Sequence, residues 1–235
     1  MKEMKKQDVA VFIKEKLRNK QPLIIAIDGR SASGKTTLAK ELNELFLSEV
    51  IHMDDFFLQP EQRTEERLSE VGGNVDRERF LREVALPLKA CWEERDAVQN
   101  DVKSDVPKSC CKESDQEDSS DERAGNEEPG DRGMDRDILL SYRRYDCSTQ
   151  ELTGCMRIRK SPLIIVEGAY SCHPYFGDIY DVRVFMDVEN RQQQERIKKR
   201  NGADMLLRFT EEWIPKEDAY FEQFCIRENC DLLIS

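Results

Sequence analysis

The chain has 235 residues, carries 37 Lys and Arg against 48 Asp and Glu for a formal charge of −11, and contains only two histidines and eight cysteines. That length suits a single α/β domain with a sizeable core, and no apolar run approaches the roughly 20 residues of a membrane span. The charge balance leaves no basic face for nucleic acid, no Cys-x-x-Cys pair offers standard zinc spacing, and Met-Lys-Glu-Met-Lys-Lys-Gln-Asp at the start lacks the apolar centre of a secretory signal. A cytoplasmic protein with reduced thiols, no membrane and no nucleic-acid partner is expected.

In chain order, a helix fits residues 7 to 19 and a strand 22 to 28, where Leu23-Ile24-Ile25-Ala26-Ile27 stand together. Residues 29 to 36 then read Gly-Arg-Ser-Ala-Ser-Gly-Lys-Thr, a complete match to GxxxxGK(S/T). A helix over 35 to 47 follows, with Leu38, Leu42 and Leu45 at spacings of four and three. A strand entering the loop and a helix leaving it are what a phosphate cradle needs, because it works through backbone N–H groups and a helix N-terminus. On that reading Gly29 and Gly34 let the backbone wrap the phosphates, with Ser31, Ala32 and Ser33 between them. Lys35 reaches the β and γ phosphates, and the Thr36 hydroxyl binds Mg²⁺. Thr37 is first-turn helix chemistry at the edge of the same nucleotide site. The competing explanation is a Gly-rich turn between a strand and a helix.

A strand over 50 to 53 leads into Asp54-Asp55-Phe56-Phe57. An acceptor hydroxyl needs a carboxylate to orient it and take its proton during phosphoryl transfer, and Asp54 is chosen for that role. The alternative is that the acids cap the next segment or bind Mg²⁺ without proton transfer. His52 reads as an ordinary strand residue, and Phe56 and Phe57 as core.

After a helix over 77 to 90, the stretch from Asp101 to Asp131 holds eleven acids and four bases and no aromatic residue. It cannot bury enough surface to offset its ordering entropy, so roughly 95 to 136 is expected to be a mobile acidic insertion. Ser119-Ser120 there could accept phosphate, while Cys110-Cys111 is a weak metal or redox candidate. The bland explanation is a tolerated surface insertion.

Arg144 to Lys160 suits a projecting hairpin. A strand over 162 to 166 ends in Glu167-Gly168, where an acid either serves Mg²⁺ or substrate or simply meets solvent. A strand over 182 to 187 passes into a helix over 190 to 200, on which Arg196 and Arg200 share a face. They either close over nucleotide phosphates or form a solvated basic face favourable to the helix dipole. A helix over 204 to 223 and a short strand at Leu232 to Ile234 complete the pattern. Apolar runs alternating with helices argue for a parallel sheet covered by helices, with ligands at the carboxyl ends of its strands.

The ordered set Ile25-Ala-Ile-Asp-Gly-Arg-Ser-Ala-Ser-Gly-Lys-Thr-Thr, His52-Met-Asp-Asp-Phe-Phe, Asn74-Val-Asp76, Tyr145-Asp146, Ile165-Val-Glu-Gly and an Arg-bearing lid helix resembles the uridine kinase family of P-loop kinases. Phosphoribulokinase and bacterial pantothenate kinase are its relatives. The resemblance implies a parallel-sheet P-loop NTPase fold of nucleoside or nucleotide kinase type, and ATP-dependent phosphorylation of a small-molecule hydroxyl with Mg²⁺. It matches Asp54 to the catalytic aspartate, Asp76 and Tyr145 to acceptor contacts, Glu167 to the acid of the third strand, and Arg196 and Arg200 to the lid. The chain departs from the family in having Asp-Asp where eukaryotic-type members have Asp-Ser. It also lacks the histidine and aromatic that follow their Tyr-Asp pair. A nucleoside such as uridine is the first acceptor implied, with pantothenate or a sugar phosphate as alternatives. A non-catalytic ATP-binding regulator acting through the acidic insertion is the rival of a different class.

Overall fold

Seven consecutive residues of β2 (Leu23–Gly29) are buried, because the strand lies inside a parallel sheet whose two faces are both covered. The computed structural model describes residues 1–91, 93 and 137–235. The expected insertion at 95 to 136, with Ser119-Ser120 and Cys110-Cys111, lies outside the described residues.

The elements run β1 (Lys2–Glu3), α1 (Lys6–Asn19), β2, α2 (Lys35–Leu45) and β3 (Ser48–His52), followed by short turns and α3 (Glu65–Ser69). Helix α4 (Arg77–Phe80) continues through a π-turn at Leu81–Ala85 into helix 86–91. Then come β4 (Ile138–Asp146), β5 (Glu151–Arg159), β6 (Leu163–Glu167), β7 (Val182–Met186), α5 (Asn190–Asn201), α6 (Ala203–Arg208), α7 (Ile214–Gln223) and β8 (Leu232–Ile234). The main sheet has the order β1-β8-β7-β2-β6-β3 with every pairing parallel, and β4 and β5 form a separate antiparallel hairpin.

Alternation along the strands divides the core in two. Leu23, Ile25 and Ile27 face Val9 and Ile13 of α1 and Leu38 and Leu42 of α2. Ile24 and Ala26 face the other way, toward Phe80, Val84, Tyr220 and Phe221 and toward Leu140 and Tyr142 of the hairpin. The hairpin is thus rooted in the second core layer, and its Arg144 pairs with Asp55 in the turn that follows β3.

The expected strands are all present, and β1 is an addition of two exposed polar residues that pair with β8. The hairpin starts at Ile138 rather than Arg144, since Leu140 and Tyr142 are buried and extend the pairing. The helix expected over 204 to 223 is interrupted by a π-turn at Phe209–Trp213. Pro215 stands in the first turn of α7, lacks an N–H and crowds the carbonyl four residues before it, so the chain widens ahead of it. No described helix is long and apolar enough to cross a membrane.

Candidate functional site

The loop after β2 meets the N-terminus of α2 at Gly34, which caps the helix at φ 102°. This aims the helix dipole and free N–H groups into the loop. Gly29 has φ 132°, and a Cβ there would lie 2.1 Å from the Met186 carbonyl oxygen of neighbouring β7, so only glycine fits. Lys35 is buried, and its Nζ donates to the carbonyls of Gly29 (2.7 Å) and Arg30 (2.8 Å), holding the ammonium across the loop. Ser33 Oγ is buried without a partner, an orphaned polar atom inside the same loop.

Beneath it lies Asp28, which the sequence reading passed over. Its Oδ1 accepts from Gly29 N (2.7 Å) and Tyr170 N (3.2 Å), and its Oδ2 from Cys172 N (2.8 Å) and the Tyr220 hydroxyl (2.9 Å). Burial pushes this carboxyl up, against the pull of the donors and of Lys35. The signal was present: an acid inside the otherwise apolar run Leu-Ile-Ile-Ala-Ile-Asp-Gly.

Across the sheet edge, Thr36 Oγ1 lies 3.2 Å from both carboxylate oxygens of Glu167. Glu167 Oε1 in turn lies 2.6 Å from His52 Nδ1. β3 and β6 pair with His52 opposite Glu167, so His52 is part of the cluster rather than an ordinary strand residue. The Glu167 hydrogen bond raises the His52 pKa, against the effect of burial. Gly168 has φ 132° and sits against Met53, and that close approach brings the Asp54 segment up to Glu167. Thr36 and Glu167 offer hard oxygen donors, the chemistry Mg²⁺ prefers. Among the described residues no group of three or more His, Cys, Asp and Glu is arranged to hold a metal.

The acid pair is divided by its surroundings. Asp55 is buried, accepting from the Tyr142 hydroxyl (3.0 Å) and pairing with Arg144 Nε (3.0 Å). Asp54 is exposed. The protein packed around its carboxyl and, secondarily, the Glu167 charge push its pKa up, with Lys35 and His52 opposing. Phe56 is fully buried core, while Phe57 is half-buried.

Arg79 fastens this segment to the hairpin. Its buried guanidinium donates to the carbonyls of Asp55 (2.5 Å) and Arg143 (2.6 Å) and stacks 4.3 Å from the Phe56 ring centroid. Asp76 caps α4, accepting from Arg79 N (3.0 Å) and Gln62 Nε2 (3.0 Å). The Tyr145 hydroxyl accepts from Arg63 Nη2 at 2.5 Å. Between the Gln59–Glu61 turn and the hairpin tip lies a cavity of about 680 Å³ lined by Gln59, Arg143, Ser148, Gln150 and Leu152.

The helices following β7 reach back to the loop. Arg196 donates to the Ala32 carbonyl (3.1 Å) and buried Gln193 to the Ser31 carbonyl (3.1 Å). Arg200 is exposed and donates to Asn201 (2.7 Å) instead. From α7, buried Glu217 accepts from Ser31 N (3.0 Å) and from the Ser31 hydroxyl. Arg30 joins Asp187 (3.1 Å) and Asp218 (2.6 Å). Gln193, Glu217 and Arg30 had no local sequence signal, for their partners lie far away in the chain.

No family profile matches the chain, and no curated protein matches it in sequence. Among solved structures the chain is similar to a possible uridine kinase from Bacillus stearothermophilus, at 19% identity over 97% of this chain and 98% of that one, with a TM-score of 0.59. It is also similar to a protein provisionally named a fructose transport system kinase, from Silicibacter sp. TM1040, at 18% identity over 98% of each chain, with a TM-score of 0.60. At these identities the likeness shows the fold, a parallel-sheet P-loop NTPase fold with helices on both faces.

Proposed function

We propose that this chain is an ATP-dependent kinase that moves the γ-phosphoryl group to a hydroxyl of a small molecule, with a nucleoside such as uridine the first acceptor to test. One observation carries the reading. Beside a complete phosphate loop, Asp55 is committed to Tyr142 and Arg144 while Asp54 stays exposed, under the fields of Lys35 and Glu167. A possible uridine kinase shares this fold over 97% of the chain, which is why a nucleoside heads the acceptors to test.

On this reading the acceptor hydroxyl donates to Asp54, which takes the proton as the oxygen attacks the γ phosphorus. A carboxyl with a raised pKa is a better base than an ordinary aspartate once the proton must be held. Lys35 exchanges its loop carbonyls for phosphate oxygens, and Arg196 stands beside the loop to share the charge. The partnerless Ser33 hydroxyl is a further donor available to a phosphate. Thr36 and Glu167 would hold Mg²⁺, with His52 orienting Glu167. When bound, that ion neutralises charge on the β and γ phosphate oxygens.

The test mixes the protein with ATP, Mg²⁺ and a panel of nucleosides, pantothenate and sugar phosphates. Acceptor-dependent ADP release is expected. Folded protein that binds ATP yet releases ADP with no acceptor would sink the proposal.

A further inference from the structure

Ser31 belongs to the phosphate loop, yet both of its hydrogen-bond donors are taken by a carboxylate. Glu217 reaches in from α7, 186 residues further along the chain, and accepts from Ser31 N at 3.0 Å and from the Ser31 hydroxyl. The side chain is 3% exposed. The groups facing it are Lys35 from α2, which favours its charge, and Asp28 from β2, which opposes it. Tyr170 faces it from the loop after β6. Arg30 is already held by Asp187 and Asp218 and does not serve Glu217. Gln193 faces the Ser31 carbonyl from α5 and carries no charge. An anionic oxygen of the protein therefore stands on a loop whose sequence is built to receive anionic oxygens of a ligand.

We propose that Glu217 is a proton-carrying member of the nucleotide phosphate site: its carboxyl takes up a proton from solvent as the phosphates enter, changing from an anion that competes for Ser31 into a neutral donor to a phosphate oxygen. The inference rests on the nucleotide-binding reading above. Polyphosphate charge beside a buried carboxylate is like charge in a poorly solvated place, and relief comes most cheaply by neutralising the carboxylate. Burial already pushes the Glu217 pKa up before any ligand arrives, so less work is needed to complete the protonation.

The linkage has a definite sign. The bound form keeps the Glu217 proton to higher pH than the free form does. Affinity for nucleotide therefore falls as pH rises through the interval between the two values, by up to about tenfold per pH unit. A glutamate that only braced the loop would stay ionised in both states and give no such slope.

The experiment is calorimetric titration of the full chain with a non-hydrolysable ATP analogue and Mg²⁺, from about pH 5.5 to about pH 8. Buffers of different ionisation enthalpy report the protons taken up. Wild type should take up a larger fraction of a proton per nucleotide than Glu217→Gln, the difference cancelling the titration of the nucleotide itself. Glu217→Gln should also bind more tightly than wild type at the high end of the range. Glu217→Asp, which keeps a carboxyl, should keep the uptake.

Equal proton numbers in wild type and Glu217→Gln, with nucleotide bound to both, would overturn the inference while leaving nucleotide binding intact. If Glu217→Gln does not fold, wild type alone decides, since a proton number no greater than the nucleotide's own titration supplies would overturn it equally. Folded wild type that binds no nucleotide would overturn the underlying reading, and this inference with it.

Discussion

Around the phosphate loop, charged groups are held by the sheet and by α7, whereas around the Asp54–Asp55 segment they are held by guanidinium groups spanning short turns and a hairpin. Asp28 meets four donors, three of them backbone N–H groups beside adjoining strands and one the Tyr220 hydroxyl of α7, and Lys35 meets two carbonyls of the loop. Asp54, by contrast, owes its location to its neighbour Asp55 and to Arg79, which ties the Asp55 and Arg143 carbonyls together. Binding phosphate asks for a loop whose donors do not move. The hairpin shares its core residues Leu140 and Tyr142 with the sheet, while its charged positions Arg143 and Arg144 meet the Asp55 segment through Arg79 and an ion pair, so the polar contacts can vary where the apolar root cannot.

The sharpest way to separate the two sides is at the acid pair. Asp54→Asn should lower phosphoryl transfer by about 10²–10⁴-fold, the range for loss of a general base, and leave nucleotide affinity nearly unchanged. Asp55→Asn should instead loosen the hairpin and raise KM for the acceptor more than it lowers kcat. Steady-state kinetics on both variants decides, and the reverse pattern would move the base to Asp55.

The phosphate-loop side is challenged most directly at Asp28. Alanine there leaves the N–H groups of Gly29, Tyr170 and Cys172 and the Tyr220 hydroxyl without their acceptor inside the core. The expected cost is about 3–5 kcal/mol of stability. Urea unfolding should show a lower midpoint at unchanged slope. A loss below about 1 kcal/mol would mean that the loop is held mainly by its glycines and Lys35.

How much of this was legible in the sequence depends on distance along the chain. Residues 29 to 36 sit between an apolar run and a helical pattern, so the loop and its flanking strand and helix could be read locally. β2 and β6 were legible because both faces of the sheet are buried there and the runs stay apolar. His52 was missed because its partner Glu167 is 115 residues away and meets it only through the register of β3 and β6. Glu217 and Gln193 were missed for the same reason, since nothing near either residue marks Ser31 as its partner. Arg79 looked like one more charge on a helix. Its burial follows from packing between Phe56 and two backbone carbonyls, which no local pattern encodes.

A pH signature lies beside α7. His173 stacks 5.8 Å from the Tyr220 ring, its Nδ1 accepting from Tyr175 N at 3.1 Å. Burial, and secondarily the Arg77 charge, pushes its pKa down to about 4. An unfolded histidine titrates near 6.5, so between about pH 6.5 and about 4 the unfolded chain binds a proton that the folded chain refuses. Stability should therefore fall on acidification across that window, by up to about 1.4 kcal/mol per pH unit from this residue. In His173→Asn the loss between pH 7 and pH 5 should be smaller by that share, as measured by urea unfolding at about those two values. Equal losses in both proteins would show that His173 is protonated in the folded state.

The smallest effects fall on the helix that leans over the loop, where two arginines one turn apart have different surroundings. Arg196 already donates to the Ala32 carbonyl, so its guanidinium is within reach of whatever the loop holds. Arg200 is exposed and occupied by Asn201. Arg196 is exposed too but lies beside the loop, so Arg196→Ala should raise KM for ATP by several-fold, up to roughly tenfold if its guanidinium makes one charged hydrogen bond to a phosphate. Arg200→Ala should change it by less than about twofold, the scale of an exposed charge screened by salt. A matched loss from both substitutions would mean that the helix turns on closing and brings its whole basic face onto the phosphates. The two variants together therefore measure how far α5 moves when the donor site fills.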